Sequence, residues 1–164
     1  MAERWVLNAS PLIILARIGL EGLFLSLAER VVVPRAVATE IEAGPPEDRA
    51  RQALAVGRLA IVETPAPPAE LLAWDLGSGE TAVLSLALSE PGWVPILDDA
   101  AARKCALGFS LPVKGTLAIV LLAHQRGLIS SAADVLHSLQ ATGFRLDDRI
   151  VRESLQRVTG ERWL

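Results

Sequence analysis

Short apolar runs alternate along the chain with stretches whose apolar residues recur three and four positions apart. Trp5-Val6-Leu7, Val31-Val32-Val33, Ala60-Ile61-Val62 and Val94 to Leu97 are runs of the first kind, rich in β-branched residues and too short for helices. The spacing between them predicts helices over about 10–19, 21–29, 34–43, 47–56 and 80–89. Further helices are expected from 100 to near Gly108, over 116–124, and near 131–142 and 147–159. Ser10 is a candidate cap with Pro11 opening the first helix, and Gly44-Pro45-Pro46 ends the third. Ser110–Val113 reads as a fifth strand. Strand–helix alternation of this kind implies a parallel sheet covered on both faces. The expected fold class is therefore α/β, a three-layer sandwich with a five-stranded parallel sheet between helices and additional C-terminal helices.

The chain has 164 residues, which suits one domain over 1–164, with a core of about 4–127 and a C-terminal helical extension of about 128–164. Hydrophobic residues make up 51% and charged residues 21%, a globular composition. Mean hydropathy is +0.38, but the longest apolar run, Leu117 to Ala123, is far too short to span a bilayer, and the N-terminus lacks the pattern of a signal peptide. A soluble cytoplasmic protein with much of its surface folded inward, or covered by a partner as in a homodimer, accounts for the apolar excess. Cys105 is the only cysteine, and His124 and His137 are solitary, so no disulfide can form and nucleophilic triads have no support. Net charge is −3, against broad nonspecific grip on nucleic acid; the cations are nearly all arginine, which pairs bidentately with phosphate.

Ligands of open parallel sheets collect beyond the carboxyl ends of the strands. Asn8 follows the first strand there and Asp98-Asp99 the fourth. Asn8, the sole asparagine, is equally readable as a turn or capping residue. One aspartate suffices to cap a helix; the second adds repulsion that a cation would relieve. Glu80 shares a helical stripe with Val83, Leu84 and Ala87, and Glu40 lies on the face of Ala36 and Val37. A single carboxylate at such a place usually reaches out to solvent, whereas several in one chain point to an oxygen-rich site for hard cations.

Taken in order, Val6-Leu7-Asn8-Ala9-Ser10-Pro11-Leu12-Ile13, Val33-Pro34 with Glu40, Gly77-Ser78-Gly79-Glu80, Leu97-Asp98-Asp99 with Arg103, and Leu111-Pro112-Val113-Lys114-Gly115-Thr116 resemble the PIN-domain family. Within it they are similar to an uncharacterised prokaryotic branch described as nucleic-acid-binding, and the Gly143-Phe144-Arg145 region is similar to that branch as well. The resemblance implies a five-stranded parallel sheet and a metal-dependent ribonuclease using Mg²⁺ or Mn²⁺, often the toxin held by an antitoxin protein. It puts the family's acidic positions on Asn8, Glu40, Glu80 and either Asp98 or Asp99. Glu40, Glu80, Asp98 and Asp99 would be catalytic, with Asn8, Glu80, Asp98 and Asp99 around the metal. Ser10, Arg103, Lys114 and Thr116 would face substrate RNA. Asn8 departs from the family in bringing no negative charge, which leaves a second expectation: a catalytically weak module that binds RNA or a protein without cutting it. A small-molecule enzyme is a weaker third, because no Gly-rich phosphate loop follows the first strand.

Overall fold

The computed structural model describes residues 2–164. Strand β1 (Arg4–Leu7) lies at the centre of a parallel sheet between β2 (Arg30–Pro34) and β4 (Trp93–Ile96), and β3 (Ala60–Val62) pairs with β2, giving the order β3-β2-β1-β4. Trp5, Val6 and Leu7 are all fully buried although neighbouring residues of a strand point to opposite faces, so β1 is covered on both sides. That requirement explains why its sequence is an uninterrupted apolar run.

The covering helices are α1 (Ala9–Arg17), α2 (Gly22–Leu27), α3 (Arg35–Glu42), α4 (Arg49–Val56), α5 (Ala69–Leu72), α6 (Ser78–Ser89), α7 (Ala100–Gly108) and α8 (Thr116–Gln125). Helices α3 and α6 pack together, α6 over β1, β2 and β4 and α3 over β2 and β3. Helix α2 packs on β2 and against α8, and its Phe24 meets Trp5 edge-on with ring centroids 6.4 Å apart. The closing helices, α9 (Ala132–Ala141) and α10 (Asp148–Val158), both pack on α8. They start at Ser131 and Asp147, whose side chains accept from the amides of Asp134 and of Arg149 and Ile150. Trp163 ties the end of the chain down by stacking on His137 at 4.0 Å and donating to Asp148 at 2.9 Å. Among the described residues no helix is long and apolar enough to cross a membrane.

Two expectations need correction. The fifth strand does not form, so the sheet has four strands among the described residues. Ser110 takes a left-handed φ of 57° and Pro112 has no amide, leaving only Lys114 to pair, in an isolated parallel bridge to Ile96. Lys114 donates to the Pro95 carbonyl at 3.1 Å and accepts from Leu97 at 2.9 Å. Pro95 turns toward this outer edge and has no amide to carry the ladder on toward Pro112. The first helix also begins earlier than expected: Asn8, not Ser10, stands in its N-cap position, and Pro11 is its third residue.

The sheet order fixes where a ligand can sit. The chain runs outward from β1 to β2 and β3, then returns to place β4 on the other side of β1. Strands β1 and β4 therefore flank the point where the winding reverses, and the crevice outside their carboxyl ends is the natural binding place. Since the register pairs Leu7 with Ile96, the next residues out are Asn8 on one side and Leu97-Asp98 on the other. Trp5→Ala removes the large side chain from the middle of this arrangement. It is expected to lower stability by about 3–5 kcal/mol in urea denaturation; a loss under 1 kcal/mol would contradict the packing described.

Candidate functional site

An asparagine at an N-cap normally accepts a hydrogen bond from the second or third amide of its helix. Asn8 does not, although its backbone is extended as a cap requires (φ −83°, ψ 169°). The third amide is missing because that residue is Pro11. The Asn8 backbone donates to the Ile96 carbonyl at 3.2 Å, stitching β1 to β4, and its side-chain amide turns to Glu80 Oε1 at 3.5 Å. Its Oδ1 is left buried without a hydrogen-bond partner, in a residue only 3% exposed. Such an orphan acceptor costs on the order of 1–3 kcal/mol.

Glu80 stands in the first turn of α6, held at the sheet by Val83, Leu84 and Ala87, all buried on the stripe it shares. Two glycines at the start of α6 make room for the carboxylates. A Cβ on Gly77 would come within 2.6 Å of Glu80 Oε2. One on Gly79 would meet Glu40 Oε2 at 2.7 Å, Asn8 Oδ1 at 3.2 Å and Val37 at 3.4 Å. The Glu40 and Asn8 oxygens therefore converge on one spot beside Gly79, and Asn8 in turn reaches Glu80. Glu40 is exposed along most of its side chain, and the carboxyl end is the part drawn inward from α3.

The adjacent aspartates have separate roles. Asp99 caps α7, accepting from the Ala102 amide at 2.9 Å. Asp98 accepts from Thr116 twice, from its amide at 2.7 Å and from its hydroxyl at 2.6 Å, and so joins the end of β4 to the first turn of α8. The repulsion expected between them is thus relieved by protein donors on both sides. Arg103 donates from α7 to the Leu97 carbonyl at 2.9 Å, with Nη1 close to Gly115, where Asp98 Oδ1 also lies. Lys114 is paired with Glu3 at 3.2 Å. Ser10 is half-buried in the first turn of α1.

Two groups result: Asn8, Glu40 and Glu80 around Gly79, and Asp98, Thr116 and Arg103 around Gly115. Among the described residues, no three His, Cys, Asp or Glu side chains lie close enough together to hold a metal ion. The first group nevertheless offers two carboxylates and a carbonyl-type oxygen that lacks a partner, and that donor set suits a hard divalent cation. Burial at its inner end, and secondarily the charge of Glu80, raise the Glu40 carboxyl above its ordinary value. Burial also raises Asp98, against the opposing pull of the two Thr116 bonds and of Arg103. The lone Cys105 is buried, and burial pushes its thiol up, in keeping with core filler; His137 stacks on Trp163 and His124 faces Glu161 at 3.8 Å. The close approaches at Gly77, Gly79 and Gly115 leave no mark in hydropathy: Gly77-Ser78-Gly79 and Lys114-Gly115-Thr116 are visible in the sequence only as parts of the family's motifs.

Fold and site together define a parallel α/β protein with an acidic pocket at the switch point of its sheet. The chain belongs to the PIN-domain family: a family model described as DUF3368, PIN domain, matches residues 4–160. Among solved structures it is similar to PAE2754 from Pyrobaculum aerophilum, with a TM-score of 0.51 at 17% identity over 75% of this chain and 91% of that one. That likeness concerns the fold alone. No curated protein matches the chain significantly.

The raised Glu40 carboxyl has a stability consequence. Between its ordinary and its raised value the folded chain binds more protons than the unfolded chain, so stability falls as pH rises through that window. Glu40→Gln removes this penalty. In urea titrations the variant is expected to gain on the wild type at neutral pH, with the gain vanishing below the ordinary glutamate value. A gain that persists unchanged in acid would contradict the assignment.

Proposed function

We propose that the chain is a metal-dependent endoribonuclease that hydrolyses RNA phosphodiester bonds with Mg²⁺ or Mn²⁺. PIN domains are generally nucleases, and membership of that family is the starting point. The observation that carries the reading is the buried, unpartnered Oδ1 of Asn8, converging with Glu40 Oε2 beside Gly79 and adjoining Glu80. A buried acceptor without a donor, next to the two carboxylates Glu40 and Glu80, is a local arrangement that a cation would satisfy.

In this reading Asn8, Glu40 and Glu80 hold the ion, and Asp98 contributes from the opposite side of the switch point. Asp98 is preferred to Asp99 because its carboxylate lies beside Arg103 at Gly115, whereas Asp99 turns back to cap its own helix. A bound divalent ion supplies an activated water and charge stabilisation at the leaving oxygen. Glu40, whose carboxylate oxygen converges with Asn8 Oδ1 beside Gly79, would hold the ion or orient the water beside it. Thr116 orients Asp98 through its hydroxyl, and Arg103, beside it, faces the phosphate path. Ser10, half-buried in the first turn of α1, would be the small hydroxyl residue beside the first acidic position. Lys114 has a weaker claim on substrate, since Glu3 already neutralises it.

A second reading rests on its own observations. Asn8 adds no charge, and the acidic residues do not form a cluster of three among the described residues. A chain of this kind can bind RNA or a protein partner without cutting. A cytoplasmic toxin held by an antitoxin protein, and a homodimer, are extensions of the first reading, supported by apolar side chains left outside such as Val56, Leu72 and Leu107.

Cleavage of a mixed single-stranded RNA with Mn²⁺ separates the readings. The nuclease reading expects EDTA to stop cleavage and Glu80→Gln to slow it by on the order of a hundredfold or more. Cleavage indifferent to both would defeat that reading. RNA binding in EDTA with no cleavage under any metal would favour the second.

A further inference from the structure

Beyond Asp98 the surface opens into a groove of about 430 Å³ between α8 and the C-terminal segment that leads into α10. Its floor is apolar, with Leu117, Leu121 and Val151, and Phe144 is half-buried in its wall. Three arginines border it: Arg103 at the end nearest Asp98, and Arg145 and Arg157 farther along. Two carboxylates, Asp98 and Asp147, border it as well, but both already accept bonds. Asp98 is engaged by Thr116, and Asp147 caps α10 through the amides of Arg149 and Ile150. Neither Arg145 nor Arg157 forms an ion pair among the described residues, whereas Arg149 of the same helix is paired with Glu153. The groove therefore presents two arginines, Arg145 and Arg157, outside any ion pair over an apolar floor, with three arginines against two carboxylates along its border, in a chain whose net charge is −3.

We propose that this groove is a subsite for single-stranded RNA, in which Arg145 and Arg157 hold backbone phosphates and Phe144 takes the face of a base. Its volume falls within the range of about 300–1,000 Å³ typical of sites for small organic ligands, enough for a nucleotide. Planar guanidinium groups match phosphate geometry, and an aromatic wall accepts any base, a combination common to single-strand binders. Continuity with Asp98 and Arg103 favours nucleic acid over an acidic peptide, because a strand held at the switch point has to leave along some path and this one begins there. The inference rests on reading the chain as a nucleic-acid-handling PIN domain. It gives the closing helices, which lie outside the sheet, the task of choosing how the substrate lies.

Fluorescence anisotropy of a labelled single-stranded RNA, in EDTA across a range of salt concentrations, tests the subsite apart from metal and cleavage. The wild type is expected to bind, and Arg145→Ala with Arg157→Ala to weaken binding and flatten log Kd against log salt by about 1.4, or about 0.7 per phosphate contact on a single strand. Phe144→Ala is expected to weaken binding by roughly fivefold or more with the salt slope unchanged. Arg152→Ala, an exposed arginine of α10 outside the groove, should bind as the wild type does, and circular dichroism checks that each variant folds. No RNA binding by the wild type, an unchanged slope in the double variant, or displacement of RNA by oligoglutamate as readily as by unlabelled RNA would each overturn the proposal. Glu80→Gln separates the two readings: a failed cleavage reading leaves RNA binding dependent on Arg145 and Arg157, and a failed subsite leaves Glu80-dependent cleavage intact in the double variant.

Discussion

Asn8 stands in the N-cap position of α1 without capping it, and the geometry of the pocket depends on where its side chain turns instead. Pro11 removes the third amide of α1, and the Asn8 oxygen does not turn to the second, that of Ser10, either. Instead the backbone of Asn8 ties β1 to β4 while its side chain points across to Glu80, leaving one buried oxygen unanswered. The fold tolerates this cost and holds a buried oxygen acceptor at the reversal point of its sheet. Strain or unsatisfied polarity held in place by a rigid scaffold is common where function requires it.

Around this point, close approach is made possible by glycine. Gly79 lets α6 sit near enough to α3 and β1 for Glu40, Asn8 and Glu80 to converge, and Gly115 does the same for Asp98 and Arg103 at the start of α8. Electrostatics then divides the pocket. On the α8 side, protein donors largely satisfy Asp98; on the α3 and α6 side, two carboxylates face each other with only the Asn8 amide between. The second side is where a cation has most to contribute, and the first is better suited to orienting what binds there.

Much of the fold could be read from the sequence because β1, β2 and β4 are buried on both faces and so are written as unbroken apolar runs. The fifth strand misled because apolar content says nothing about hydrogen-bond donors: Pro95 and Pro112 remove two of them, and the left-handed turn at Ser110 leaves no hydropathy signature. Helix α5 has four residues, too few to show a period. The places of the candidate residues at the strand and helix ends could be read, and the structure brings Asn8, Glu40 and Glu80 together there. What separates Asp98 from Asp99 could not be read, since both sit at the same strand–helix junction and differ only in which amides they accept from. The N-cap position of Asn8, with proline in place of the third amide, was in principle visible in Asn8-Ala9-Ser10-Pro11, but only once the first helical residue was known to be Ala9.

Calorimetric titration of Mn²⁺ into the wild type beside Asn8→Asp and Asn8→Ala tests the central claim without reference to a substrate. If the pocket holds a cation through the Asn8 oxygen, the wild type binds, Asn8→Asp binds more tightly by adding the missing charge, and Asn8→Ala loses the heat of binding. Equal binding by all three proteins, or no binding even with the aspartate in place, would contradict it.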